Sequence, residues 1–422
     1  MATHHLIGLL LGTEEDWPGA FEAIVEKYKP SIVHRGEEHT FGTERITIEP
    51  FNLRAEPRYA LVIDRLAHWY YVPREWLKKA ALMNDVYLLN NPFTFQSMEK
   101  HSAYCAMMRL GLKIPETWML PTKKPIENER FPYTASKYNL PFRLEDVAGR
   151  VGYPLFMKPF DGGAWVGVTR ITSDNELHIR YDESGERLMH LQESVENFDV
   201  FARTLSIGAE TMVMNYDPSR SLHERYQISH GFLTPEMGRE VITISRLVNA
   251  FFLWEFNSCE VIVKGSEAYP IDYANACPDM SLISLHYYFP WAIKTLLKWS
   301  LFCAATGRRM AIDPETRRYF DIGDRSDLSY GDKLGKYHLL ANEHFEVDSY
   351  HEFCSQHLST LDEAMVEYIE SEAFDRLLVD TVRNTFPPQE HERFVAHYRG
   401  LLGAWASDQH ALRSAPQVKG DG

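Results

Sequence analysis

The chain has 422 residues, 45% of them hydrophobic and 13% aromatic, with a formal charge of −15. That length exceeds one comfortable core and predicts two to four domains, while no run of about 18 uncharged apolar residues is present to span a bilayer. So acidic a chain excludes general affinity for DNA, RNA or anionic lipid, whose phosphates are bound through basic surface, and any anionic ligand has to meet a local cluster of cations.

Residues 1–92 alternate strands with helices. MATHHLIGLLLGTEEDW has an apolar centre but neither a basic leader nor a small-residue cleavage site, so it reads as a first strand, Leu6 to Leu11, and not as a signal peptide. WPGAFEAIVEKY then reads as an amphipathic helix, ERITIEPF and YALVIDRL as strands, PREWLKKAALMN as a helix and VYLLNNP as a strand ending at Pro92. This alternation predicts a small α/β domain with a mostly parallel sheet. Thr94 to Leu110 carries a helical stripe of Phe95, Met98, Cys105 and Met108 and stops at Gly111. Residues 121–142 are proline-rich and aperiodic, as in a long surface connection. LEDVAGRVG reads as a helix, YPLFMKPFDGGAWVGV as a hairpin, DESGER as a turn and HLQESVENFD as the end of a strand. FARTLSI and TMVMNY follow as strands, then a helix over about 239–254 and two strands flanking KGSEA. From about 284 to 410 the pattern is helical, and the tail RSAPQVKGDG reads as disordered.

Cys105, Cys259, Cys277, Cys303 and Cys354 are scattered and never form CxxC, which suits a reducing cytosol and argues against a zinc ribbon or a disulfide scaffold. HEFCSQH and HERFVAH are not zincin motifs, because their spacing turns the second histidine off the face of the first. Cys277 reads as a packed thiol before it reads as a nucleophile.

In the hairpin YPLFMKPFDGGAWVGV, Gly162 and Gly163 lack the Cβ atoms that would hold a backbone away from a ligand. Their N–H groups can converge on phosphate oxygens, and Lys158 just before them is a point charge of the right sign. An ordinary hairpin with a surface lysine remains the alternative. Neither GxxxxGK[ST] nor a GxGxxG after a strand occurs. Downstream, NSCEVIVKGSEAYPIDYANACPD puts Glu260 on one strand and Asp272 and Asn275 on the next. Carboxylates on paired strands can face each other, and hard oxygens suit magnesium; solvated surface acids are the alternative.

The order of these features resembles the ATP-grasp superfamily, in particular amide-forming ligases similar to glutathione synthetase and the ribosomal-protein glutamate ligase, over about residues 1–300. The resemblance implies an N-terminal α/β domain over 1–92, an ATP-grasp region over 93–300 with a small lid over about 143–195, a helical extension over 301–412 and a tail over 413–422. NPFTFQSMEKHSAYCAMMRLGLKIPETWML looks like the family's entry helix, with Lys100 as its ATP lysine. YPLFMKPFDGGAWVGV is similar to the phosphate-covering loop, with Lys158 as the second lysine and Gly162, Gly163 and Gly167 as the mobile turn. LMHLQESVENFDVFAR is similar to the hinge strand, which implies adenine contacts near Glu193 and Val195 and a ribose acid at Glu196 or Asp199. Glu260, Asp272 and Asn275 fall where the family keeps its Mg2+ (or Mn2+) ligands. Two departures stand out. DYAN has one residue more than the usual acid-x-asparagine, so Asp272 and Asn275 would face opposite sides unless a bulge intervenes. The expected arginine is displaced to Arg203, four residues beyond Asp199.

What the resemblance implies is an enzyme that uses ATP to activate a small-molecule carboxylate as an acylphosphate, which an amine, an amino acid or peptide among the candidates, then captures. Arg203, Arg225 and Arg246 are the candidate carboxylate-binding cations. Arg65 and His68 follow a strand end, where open α/β sheets bind ligands, although His68 reads more simply as a polar surface residue. A kinase on the same fold and a non-catalytic ATP-binding regulator are the competing readings. The helical C-terminal region either caps the acceptor side of the cleft or forms a dimer surface.

Overall fold

The computed structural model describes residues 2–95, 99–124, 130, 137, 141–163 and 165–414. Of the expected tail, Arg413 and Ser414 end the last helix and residues 415–422 lie outside the described residues, as do most of the 121–142 connection and Met98.

Five strands, β1 (Thr3–Leu10), β2 (Ser31–His34), β3 (Glu37–Arg45), β4 (Leu61–Asp64) and β5 (Tyr87–Leu89), form the first sheet in the order β2-β3-β1-β4-β5. Pairings of β1 with β3, β1 with β4 and β4 with β5 are parallel; β2 joins β3 antiparallel through the turn at Arg35 and Gly36, both at positive φ. β4, β5 and the second half of β1 are continuous buried apolar runs because both their faces are covered, whereas β2 and β3 at the edge are polar and partly exposed. Ile7, Leu9, Val62 and Ile63 are fully buried, as are Trp17, Phe21 and Ile24 of the helix Asp16–Tyr28. The expected strand ERITIEPF is corrected: β3 is EEHTFGTER and ends at Arg45, because the segment that registers against Thr3–Leu9 runs from His39 to Arg45.

A second sheet contains β6 (Thr117–Leu120), β7 (Leu155–Pro159), β8 (Thr169–Ile171) and β9 (Met189–Glu193), antiparallel in the order β6-β9-β7-β8. It has a small core of its own, in which Leu155, Met157, Ile171 and Leu191 meet Leu144, Ala148 and Val151 of one helix and Leu177 and Tyr181 of another. The latter helix, Asp174–Ser184, was not evident from the sequence, since only those two residues, one helical turn apart, are buried. Its start is marked by Ser173, whose hydroxyl accepts from the Glu176 N–H.

The third sheet, β10 (Val200–Ile207), β11 (Glu210–Tyr216), β12 (Tyr226–Gln227), β13 (Phe256–Lys264) and β14 (Glu267–Asp272), is antiparallel in the order β12-β11-β10-β13-β14. Its rear face packs on the helix Pro235–Phe252, which begins earlier than expected because Thr234 caps it and Pro235 opens its first turn. From Leu282 onward the chain is helical. The second and third sheets face each other: Lys158 on β7 donates to the Ile271 carbonyl of β14 at 3.3 Å.

Gly208 turns β10 into β11 at φ +54, and a Cβ there would fall inside the Trp299 ring. Gly208→Ala is expected to lower the unfolding free energy by about 2–4 kcal/mol through backbone strain and overpacking, measured by urea denaturation.

Candidate active site

The register of the third sheet places Arg203 of β10 opposite Glu260 of β13, and Glu260 opposite Asp272 of β14. Asp272 reaches that position through a bulge. Glu260 pairs with Asp272 while Val261 pairs with Pro270, so Ile271 has no partner across the ladder. The extra residue of DYAN lies beyond the strand, which ends at Asp272 and leaves residues 273–275 irregular and free of the alternation, and Asp272 and Asn275 line one chamber together with Glu260.

Each carboxylate meets a cation. Arg203 Nη1 lies 3.4 Å from Glu260 Oε1, and Lys100 Nζ lies 3.3 Å from Asp272 Oδ2. Lys100 is the first residue of the helix Lys100–Arg109; its backbone N–H donates to Phe160 O at 3.0 Å and its ammonium to Gly162 O at 2.7 Å. Lys158 is buried under the same row and donates to Gln192 Oε1 at 2.7 Å and to Ile271 O. An ammonium has three donors, so each lysine keeps one beyond these contacts. Burial depresses the Lys158 pKa to about 8, against the opposing pull of Asp272 and Glu260. Burial also raises the Glu260 carboxyl, and Arg203 draws it back down. The Asn275 carboxamide sits best with its oxygen toward Arg203 Nη2 at 3.3 Å and Ser258 Oγ at 2.8 Å, and its nitrogen toward Cys277 O at 3.3 Å.

Two cavities meet at Lys100. One, of 290 Å³, is lined by Lys100, Arg203, Arg225, Glu260, Asp272 and Asp279 among others; the other, of 590 Å³, lies between His68, Arg74 and Glu99 on one side and Asp161 and Arg187 on the other. Both touch Trp69 and Gly162. Gly162 at φ +89 and Gly167 at φ +77 need glycine for their backbone, whereas at Gly163 a Cβ would meet only the Trp69 ring, at 3.8 Å.

Other expected residues lie elsewhere. Arg246 is not on the cleft: it faces the C-terminal helices from the rear of the third sheet, donating to Ala209 O and, at 3.1 Å, to Asn342 Oδ1. Arg225 does line the smaller chamber, but it follows the short helix Leu222–Glu224 and precedes β12. Glu193, Val195, Glu196 and Asp199 line neither cavity. Glu196 pairs with Arg170 at 3.0 Å, and Asp199 Oδ2 accepts from Gly265 N at 2.7 Å, holding the β13–β14 turn. His68 is half-buried in the wall of the larger cavity; burial, with Arg74 and Lys100 nearby, depresses its pKa to about 4. Sequence reading missed Ser258, although it lies two residues before Glu260 in a strand and therefore faces the same side. Trp69 and Asp279 sit in loops and carry no periodic signal.

Among the described residues no three His, Cys, Asp or Glu side chains gather closely enough to hold a metal ion. The expected set has two carboxylates and one amide. Glu260 and Asp272, opposed in register and facing one chamber, fit a hard cation such as Mg2+ or Mn2+, whereas the Asn275 oxygen already accepts from Arg203 and Ser258.

The Lys158 pKa lies below its unfolded value of 10.5, so the folded state binds this proton less readily than the unfolded chain does. Stability is therefore reduced below about pH 8 and recovers as pH rises toward 10.5. Urea denaturation of wild type and Lys158→Met is expected to differ between pH 7 and pH 10 by on the order of 2–3 kcal/mol, the wild type gaining on the variant at high pH.

Similar arrangements occur in solved structures. They include a RimK-domain ATP-grasp protein from Sphaerobacter thermophilus, with 12% identity over 70% of this chain and 99% of that one and a TM-score of 0.48. A D-alanine–D-alanine ligase from Bacillus anthracis in complex with ATP has 12% identity, covers 73% and 99%, and gives a TM-score of 0.49. VanG D-Ala:D-Ser ligase from Enterococcus faecalis has 13% identity, covers 80% and 100%, and gives 0.46. No family model matches the sequence, and no curated protein matches it. The chain's own sheets form two antiparallel layers that face each other across a cleft, beside a mostly parallel α/β sheet.

Proposed function

We propose that the protein is an ATP-dependent carboxylate–amine ligase that forms an amide or peptide bond and releases ADP and phosphate. The observation that carries this reading is the row Arg203, Glu260 and Asp272, met by the ammonium groups of Lys100 and Lys158 between two sheets. Hard oxygens and cations in alternation are what a triphosphate and a divalent ion need together.

In this reading a substrate carboxylate oxygen attacks the γ-phosphorus as its bond to the bridging oxygen breaks and ADP leaves. The amine nitrogen then attacks the acyl carbon, loses a proton and expels phosphate. A magnesium ion held by Glu260 and Asp272 would neutralise phosphate oxygens. The spare donors of Lys100 and Lys158 serve the same end, and Arg203 holds Glu260 in place and favours its ionised form against the effect of burial. The loop at Gly162 to Gly167 would cover the reacting atoms and exclude the water that hydrolyses an acylphosphate. Arg225 is the cation best placed for the substrate carboxylate, and Arg246 has no part in it. The free thiols belong with a reducing, cytoplasmic setting, and no described helix is long and apolar enough to cross a membrane.

The test is a mass-spectrometric search for coupled products from a matrix of carboxylic acids and amines with ATP and magnesium. A product requiring both partners is expected, together with ADP. A phosphorylated product formed without any amine would make the protein a kinase, and tight ATP binding without turnover a regulator. Lys158→Ala and Asn275→Ala are each expected to reduce turnover by at least roughly a hundredfold, with unchanged far-UV circular dichroism.

A further inference from the structure

The smaller chamber is lined by six charged side chains, Lys100, Arg203, Arg225, Glu260, Asp272 and Asp279. Four of them form two ion pairs, Arg203 with Glu260 and Lys100 with Asp272. Among the described residues Arg225 and Asp279 have no ion-pair partner, and they do not pair with each other; Arg225 donates to Arg220 O at 3.1 Å. Asp279 Oδ1 accepts from the Ser281 N–H at 3.0 Å, which fixes the carboxylate in a tight turn. Ser281 is anchored in turn, its hydroxyl donating to Asp16 at 3.0 Å.

Asp279 feels Arg65 and Arg203 electrostatically. Both already have acids of their own: Glu14 accepts from Arg65 at 2.6 and 2.9 Å, and Glu260 faces Arg203. The Asp279 charge is thus surplus to the pairs the protein makes. The Arg203 guanidinium already lies over the Tyr216 ring, 5.0 Å from its centroid, but Trp69 and Trp165 line the same chamber, and aromatic faces in a chamber with an unpaired carboxylate are the surroundings an organic cation favours.

We propose that Asp279 is a specificity-determining residue, which selects the amine-bearing substrate by pairing with a cationic nitrogen in this chamber. The proposal rests on the ligase reading for the word substrate, but the binding it asserts is measured without turnover. Saturation-transfer NMR is recorded on the full chain with an equimolar mixture of the twenty α-amino acids, their decarboxylated amines and the N-acetylated forms of both. Each spectrum is taken alone and with a non-hydrolysable ATP analogue and magnesium. Free amines are expected to show transfer and their N-acetylated counterparts none. Asp279→Asn is expected to weaken the amines that bind by at least tenfold, and Asp279→Glu by less, while binding of the ATP analogue stays at the wild-type level in both. Equal binding of acetylated compounds, unweakened binding to D279N, or no amine binding in either condition would overturn the proposal. Amine binding with no affinity for the ATP analogue would instead sink the ligase reading and leave Asp279 as a cation site.

Discussion

The structure is organised around a row of buried charges that neutralise one another. A lone guanidinium or carboxylate at the depth of Arg203 or Glu260 would be destabilising by several kcal/mol, and the penalty is offset only where a partner stands in good geometry. The ladder supplies that geometry, because Arg203, Glu260 and Asp272 are cross-strand neighbours before any side chain adjusts. Ser258 and Asn275 complete the surroundings, and Lys100 enters from a helix end on the opposite wall. The rear of the same strands follows another rule. Thr204 and Ser206 pair their hydroxyls with Ser245 of the helix Pro235–Phe252, so these three groups are satisfied by one another away from the cleft.

The C-terminal helices support the front of the site. His223, next to Leu222 of the chamber wall, packs edge-on against Phe394 with ring centroids 4.9 Å apart. Tyr398 donates to Ile283 O at 3.0 Å and Tyr287 to Asp408 at 2.6 Å, so the helix His391–Ser414 backs the segment that follows Asp279 as well. These contacts brace the chamber wall from behind, and the residues that line the two cavities end at Ser284.

Much of this was legible because it rests on period and order. The central strands of the first sheet are apolar runs closed by turns, and the hairpins around Lys158 and Glu260 carry their glycines and acids in sequence, whereas the polar β3 was misread. The polar helix Asp174–Ser184 hid because two buried side chains make no stripe. Arg246 was misplaced because a helix sequence shows which residues share a face but not which face meets the cleft. Asp272 was doubtful for a physical reason, since strand alternation would turn it away from Asn275, and no residue type announces that the strand ends at Asp272. Trp69 and Asp279 come from loops brought together only by the fold.

The two lysines have a mechanical meaning as well as an electrical one. Lys158 links the second sheet to the Ile271 carbonyl, and Lys100 links the glycine turn to Asp272. None of these ties is a ladder of peptide groups, so the jaws can part without unravelling either layer. Whatever anion borrows those protons also loosens the latch, which makes grip and gape two readings of one set of bonds.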